Sequence, residues 1–166
     1  MPHLLRCVKQ AKWAKSSIEP WLGTGDIPAD PLGDFATQCN KLSVYRIEDG
    51  EEQIKQVAAA YAAGRQRPDK LDYLLFDIAI LELCGIRASS TPGRTKDAEV
   101  NMWHLDLVEL SGMKLVDLVS EVLNSDYETG RYLPKQVDQL VTEAVVAGRI
   151  PEASVPTKFS VRASRD

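Results

Sequence analysis

DKLDYLLFDIAILELCG, residues 69–85, is an almost uninterrupted apolar run in which one carboxylate, Asp77, has apolar residues at its helical neighbour positions. Asp69 suits the position that caps a helix start, and Gly85 suits the position just past a helix end. The run is therefore expected to be one helix, apolar nearly all round and placed in the middle of the domain. On that helix Asp77 would meet Tyr73, Leu74, Ile80 and Leu81, so its charge needs a partner or a wet gap; Arg46, Arg87 and His104 are the candidate partners.

Beyond Gly85, residues 87–96, RASSTPGRTK, are small, polar and basic with a Pro-Gly turn, which predicts an exposed, mobile loop. Residues 97–110 carry two patterns. Val100, Trp103, Leu107 and Leu110 make a helical face, whereas Val100, Met102, His104 and Val108 make one side of a strand. Asp97 and Glu99 at the start complement a helix dipole and tip the reading toward helix. Leu115, Leu118, Val119 and Val122 predict an amphipathic helix, 124–132 a loop, and Pro134 opens a last helix that ends at Gly148.

On the other side of the run, 65–68 is a turn. Asp49 and Glu52 have the spacing of a capping box, and Ile54, Val57, Ala58 and Tyr61 share one helical face as far as Gly64. Leu42–Ile47, LSVYRI, has the β-branched and aromatic content of a strand. Asp30-Pro31 starts a short helix to about Asn40. Residues 14–29 form a long Gly/Pro/Ser loop containing Trp21, and Leu5, Cys7, Ala11 and Trp13 alternate as a first strand would.

These elements predict a helix-rich α+β domain, with about five or six helices around the central buried helix 69–85 and a small, mostly antiparallel sheet. The sheet would hold Leu42–Ile47, the N-terminal segment and an optional C-terminal edge strand. Residues 1–148 form the globular domain and 149–166 a tail, with Phe159 and Val161 alternating within it.

The chain has 166 residues, the size of one domain, and a domain of that length buries roughly 70% of the surface its unfolded chain exposes. Its three cysteines are odd in number and far apart, which argues against a disulfide framework and a paired-cysteine metal site and for reduced thiols in a cytoplasmic protein. The first residues lack a signal-peptide core, and no apolar run has membrane-spanning length, so neither export nor a membrane partner is expected. A net charge of −4 disfavours a broad nucleic-acid surface.

Candidate chemistry is sparse. His104 lies beside Asp106, and an imidazole next to a carboxylate can be oriented as a general base. With Asp77, these are the residues an enzyme would be built on. No second internal histidine exists to complete a zinc site, and no metal or cofactor is expected. The SSTPGRTK loop lacks the G-x-x-x-x-G-K-[ST] pattern of a phosphate-binding loop. The reading that best accounts for these features is a non-enzymatic accessory or regulatory protein. It would hold a protein partner, or a second copy of itself, through its long loops, with Trp21, Arg87, Arg94 and Lys96 as binding residues. The alternatives are a small enzyme using His104 with Asp77 or Asp106, and nucleic-acid binding through the basic loops.

Overall fold

Residues 69–85 do not form one helix. The computed structural model describes residues 2–13, 22, 26–65 and 70–156. The strands are β1 (His3–Val8), β2 (Leu42–Ile47), β3 (Leu71–Asp77), β4 (Arg87–Ser90), β5 (His104–Val108) and β6 (Glu128–Tyr132). The helices are α1 (Ala29–Asp34), α2 (Glu51–Ala63), α3 (Ile80–Leu83), α4 (Ala98–Met102), α5 (Gly112–Asn124) and α6 (Pro134–Val146). The strands make one sheet in the order β4-β5-β2-β1-β3-β6, and each neighbouring pair is antiparallel. A sheet, not a helix, is the centre of this α+β fold.

Strand periodicity of two assigns the side chains to two faces. Leu4, Leu42, Val44, Leu74, Phe76 and Leu107 point to one face, where they pack with Trp13, Phe35 and residues of α3 and α5. Leu5, Tyr45, Ile47 and Leu75 point to the other, under Ile54 and Val57 of α2 and Val100 of α4. On that second face Leu71 lies with the alanines of α2 and with Val137 and Val141 of α6.

This double covering explains why the apolar run carries the pattern of a buried helix. A strand with one wet side alternates, but β3 has no wet side: Leu71, Leu74, Leu75 and Phe76 are all buried. Its sequence is therefore a continuous apolar string, which periodicity alone does not separate from a buried helix. Asp77 ends the strand half-exposed, and its Oδ1 accepts the Ala79 N–H at 2.8 Å, turning the chain into the four-residue α3. Gly85 then takes φ +57°, the left-handed conformation expected of a residue just past a helix.

Three more expectations are corrected. The presumed loop 87–96 begins as β4, an edge strand on β5. Residues 97–110 use both of their patterns in turn, as α4 and then β5. The presumed loop 124–132 contains β6, whose ETGRY sequence lacks the apolar alternation of a strand. Two cross-strand contacts stand in for it. Tyr73 lays its ring where any side chain at Gly130 would sit, and Arg131 grips Asp72 through a fork, Nε to Oδ1 at 2.6 Å and Nη2 to Oδ2 at 2.9 Å.

Elsewhere the sequence patterns held. β2 has the expected bounds, and β1 occupies the first part of the alternating segment, with a 3-10 turn at Gln10–Trp13 following it. α2 also lies where expected, but the cap differs. Gly50 precedes it at φ +70°, and Gln53 Oε1 accepts the backbone N–H groups of Glu48 and Asp49 at 2.6 and 2.9 Å. α1 stops at Asp34, short of Asn40: Phe35 caps it with its N–H on the Leu32 carbonyl, and the chain then turns through Cys39 and Asn40, both left-handed, to pair Gln38 with Lys41.

All three cysteines are free, Cys39 exposed and Cys7 and Cys84 half-buried. No helix among the described residues is long and apolar enough to cross a membrane. Past α6, Ile150 is buried against the α2–α6 layer.

Candidate functional site

The sequence candidates converge on the β4–β5 side of the sheet. β5 pairs with β2 so that Tyr45 lies opposite His104 and Ser43 opposite Asp106, and on its other side Ser89 of β4 lies opposite Asp106. His104 and Asp106, two residues apart on a strand, therefore share a face, which a helix would have denied them.

Their geometry is specific. His104 Nδ1 lies 2.8 Å from the Thr91 carbonyl oxygen; a carbonyl only accepts, so Nδ1 carries the proton. Nε2 is then directed at Asp106 Oδ1, 3.9 Å away and beyond hydrogen-bond distance. The Tyr45 ring meets the imidazole edge-on at 5.3 Å. Ser43 Oγ donates to the same Asp106 oxygen at 3.2 Å. Two hydroxyls flank the pair: Ser43 is on the carboxylate, and Thr91 Oγ1 lies 3.2 Å from His104 Nδ1, the nitrogen whose proton the Thr91 carbonyl already accepts. In a nucleophilic triad the hydroxyl gives its proton to an unprotonated imidazole nitrogen, and with the proton on Nδ1 neither hydroxyl is placed to do so.

Asp77 does not join them. It lies on β3, three strands from β5 in the sheet order, or about 14 Å at the usual strand spacing. Among the described residues no group of three or more His, Cys, Asp or Glu side chains is placed to hold a metal ion.

The basic candidates sit around the same edge. Arg87, at the start of β4, is exposed and reaches Glu109 Oε1 at 2.6 Å. Arg94 and Lys96 are exposed on the loop 91–97 that follows β4. That loop is pinned along its length. Thr91 N–H bonds the His104 carbonyl and Gly93 N–H bonds the Asn101 carbonyl. Asn101 Oδ1 accepts from both the backbone and the hydroxyl of Thr95, each at 2.8 Å, while its Nδ2 donates to the Thr95 carbonyl at 3.1 Å. A Cβ at Gly93 would run into Asn101 and His104, so the loop lies closer to α4 and β5 than any other residue would allow. Asp97 closes it by capping α4, its Oδ1 accepting from Glu99 and Val100, while its Oδ2 lies 3.8 Å from Arg149.

No known protein family, curated protein or solved structure matches this chain.

The structure therefore brings together His104 with Asp106, and Arg87 with Arg94 and Lys96 along one edge and its adjoining loop. Trp21 lies outside the described residues. Sequence reasoning missed Thr95 and Asn101, the side chains that hold the basic loop. Asp97 carried a signal, an acid ahead of a helix start, whereas Asn101 carried none, because an asparagine inside a helix has no positional meaning until its loop is in place.

Proposed function

We propose that this chain is a non-enzymatic interaction protein of the cytosol, an accessory or regulatory subunit that docks an extended acidic segment of a protein partner along β4 and the 91–97 loop. The observation that carries this reading is that Arg94 and Lys96 stand exposed on a loop fastened by Asn101, next to a strand with an open edge.

Among the described residues the edge pairs with no further strand, and its register is definite. Thr91 bonds to His104 of β5, and Arg46 of β2 bonds to Trp103 on the other side. In an antiparallel ladder these alternate, so residues 87, 89 and 91 bond inward while the backbone groups of Ala88 and Ser90 face outward. An added strand gains affinity from such groups, and neighbouring side chains give it selectivity. Two cations beside them favour an acidic strand, and a loop already fastened loses little freedom on binding.

The test is capture of partners from the source cells by the tagged chain, quantified by mass spectrometry, for the wild type and an Arg94→Glu/Lys96→Glu variant. The expected result is loss of a stoichiometric partner from the variant and its retention by a Lys114→Glu control on α5. Equal capture by all three would overturn the placement.

A further inference from the structure

A second feature lies three strands away from β4 in the sheet order, where the end of β1 meets the beginning of β3. There the surface forms a half-open cavity of about 290 Å³. Its apolar part is Val8 and Leu71, with the Cys7 thiol, whose pKa burial pushes up to about 11, remaining uncharged at neutral pH.

Among the described residues the charges lining it do not balance. Two carboxylates line the cavity, Asp34 and Asp72, and both are already engaged, Asp34 Oδ2 also accepting the backbone N–H of Lys9 at 2.9 Å. Asp34 Oδ2 accepts the Trp13 Nε1–H at 3.1 Å, and Oδ1 lies 4.0 Å from Lys12 Nζ. Asp72 is held by the Arg131 fork. Three cations also line the cavity, Lys9, Arg65 and Lys70. Among the described residues, with Lys12 and Arg131 answering the two carboxylates, these three cations exceed the acidic groups of the lining. Arg65 is, moreover, set in place: its Nη2 donates to the Tyr61 hydroxyl at 2.7 Å, and its guanidinium lies over the Tyr61 ring, 4.3 Å from the centroid.

We propose that this cavity binds a small organic anion, its phosphate or carboxylate head group held by Arg65, Lys9 and Lys70 and its apolar body seated on Val8 and Leu71. A concave, low-dielectric wall concentrates the field of charges of one sign, and a guanidinium presents the paired donors that both head groups accept. The volume is near the lower end of small-molecule sites, about 300 Å³, which fits a body of one ring or a short chain and excludes a folded protein segment. This site is independent of the partner surface on β4.

The experiment is an amide NMR titration of the full chain with phenyl phosphate, benzoate and the neutral benzyl alcohol. Saturable shifts at Val8, Lys9 and Leu71 with an anion and not with the alcohol are expected, and the tighter of the two anions assigns the head group. Arg65→Gln should weaken the binding about tenfold, the loss of one charge-assisted hydrogen bond. Lys70→Gln, at an exposed position that leaves the Tyr61 contact intact, should weaken it less. Equal shifts with the alcohol, no shifts with either anion, or affinity unchanged in both variants would overturn the proposal. Arg94→Glu/Lys96→Glu should bind the anion as the wild type does, so the two sites fail or stand separately.

Discussion

One face of the sheet takes its aromatic rings from short, irregular elements set beside the single long helix α5, and the other is filled by small side chains delivered on two long, regular helices. On the first face Trp13 comes from a 3-10 turn and Phe35 from the end of α1, and they meet Phe76 in a chain of tilted rings at 5.3 and 6.2 Å. On the second, the two 13-residue helices α2 and α6 meet through Ala58, Ala59, Ala62 and Ala144, with Val137 and Val141 between them. Large rings tolerate irregular backbone because each one fills space from a distance. Alanines bury surface only when whole helices approach closely, and that requires regularity.

The contrast can be broken by truncation. Phe76, fully buried among Phe35 and its neighbours, should cost about 3–5 kcal/mol as Phe76→Ala, read as a lower midpoint in urea denaturation. A loss below about 1 kcal/mol would mean that the large-residue face is able to collapse around a void.

Enlargement sharpens it from the other side. Ala59→Leu, at a position 1% exposed between α2 and its neighbours, should destabilise by about 1–3 kcal/mol through overpacking. If the variant is as stable as the wild type, the helices are not in the close contact that the alanines imply.

The smallest effect is confined to alkaline solution. Burial raises the Tyr45 hydroxyl from 10.0 to about 12, and Tyr132 likewise to about 12, both against the helix-covered face. Each phenol is neutral in folded and unfolded chain below pH 10. Above it the unfolded chain ionises first, so the stability these groups contribute is lost as the pH rises from 10 toward 12. The buried Cys7 thiol, raised from 9.0 to about 11, starts the decline from pH 9; denaturation midpoints should fall further above pH 10, and Tyr45→Phe should reduce that later fall. An identical fall in the variant would place the alkaline sensitivity elsewhere.

The same contrast governs what the sequence made legible. α2 and α6 were readable because a regular helix facing one layer repeats its apolar residues every three or four positions. β2 was readable because LSVYRI is β-branched and aromatic and bounded by Asp49-Gly50. β3 was not, because burial on both sides erased its alternation, and β6 was not, because Gly130 and Arg131 acquire their partners only across the sheet. At the candidate site, Arg87, Arg94, Lys96 and the His104–Asp106 proximity were visible in composition. The fastening by Thr95 and Asn101 and the cation surplus around Arg65 were not, since both depend on residues that only the folded chain makes neighbours.

One feature of the sheet bears on how the molecule is made. β1, the first strand in the chain, lies between β2 and β3, which do not pair with each other. Without His3–Val8 the described strands would fall into two pieces, β4-β5-β2 and β3-β6, with four edges in place of two. Unpaired edges recruit strands from other chains. Seating β1 therefore does more than complete the ladder: it covers two inner strand edges in one step, so a variant that weakens β1 pairing should aggregate more readily than one that weakens an edge strand.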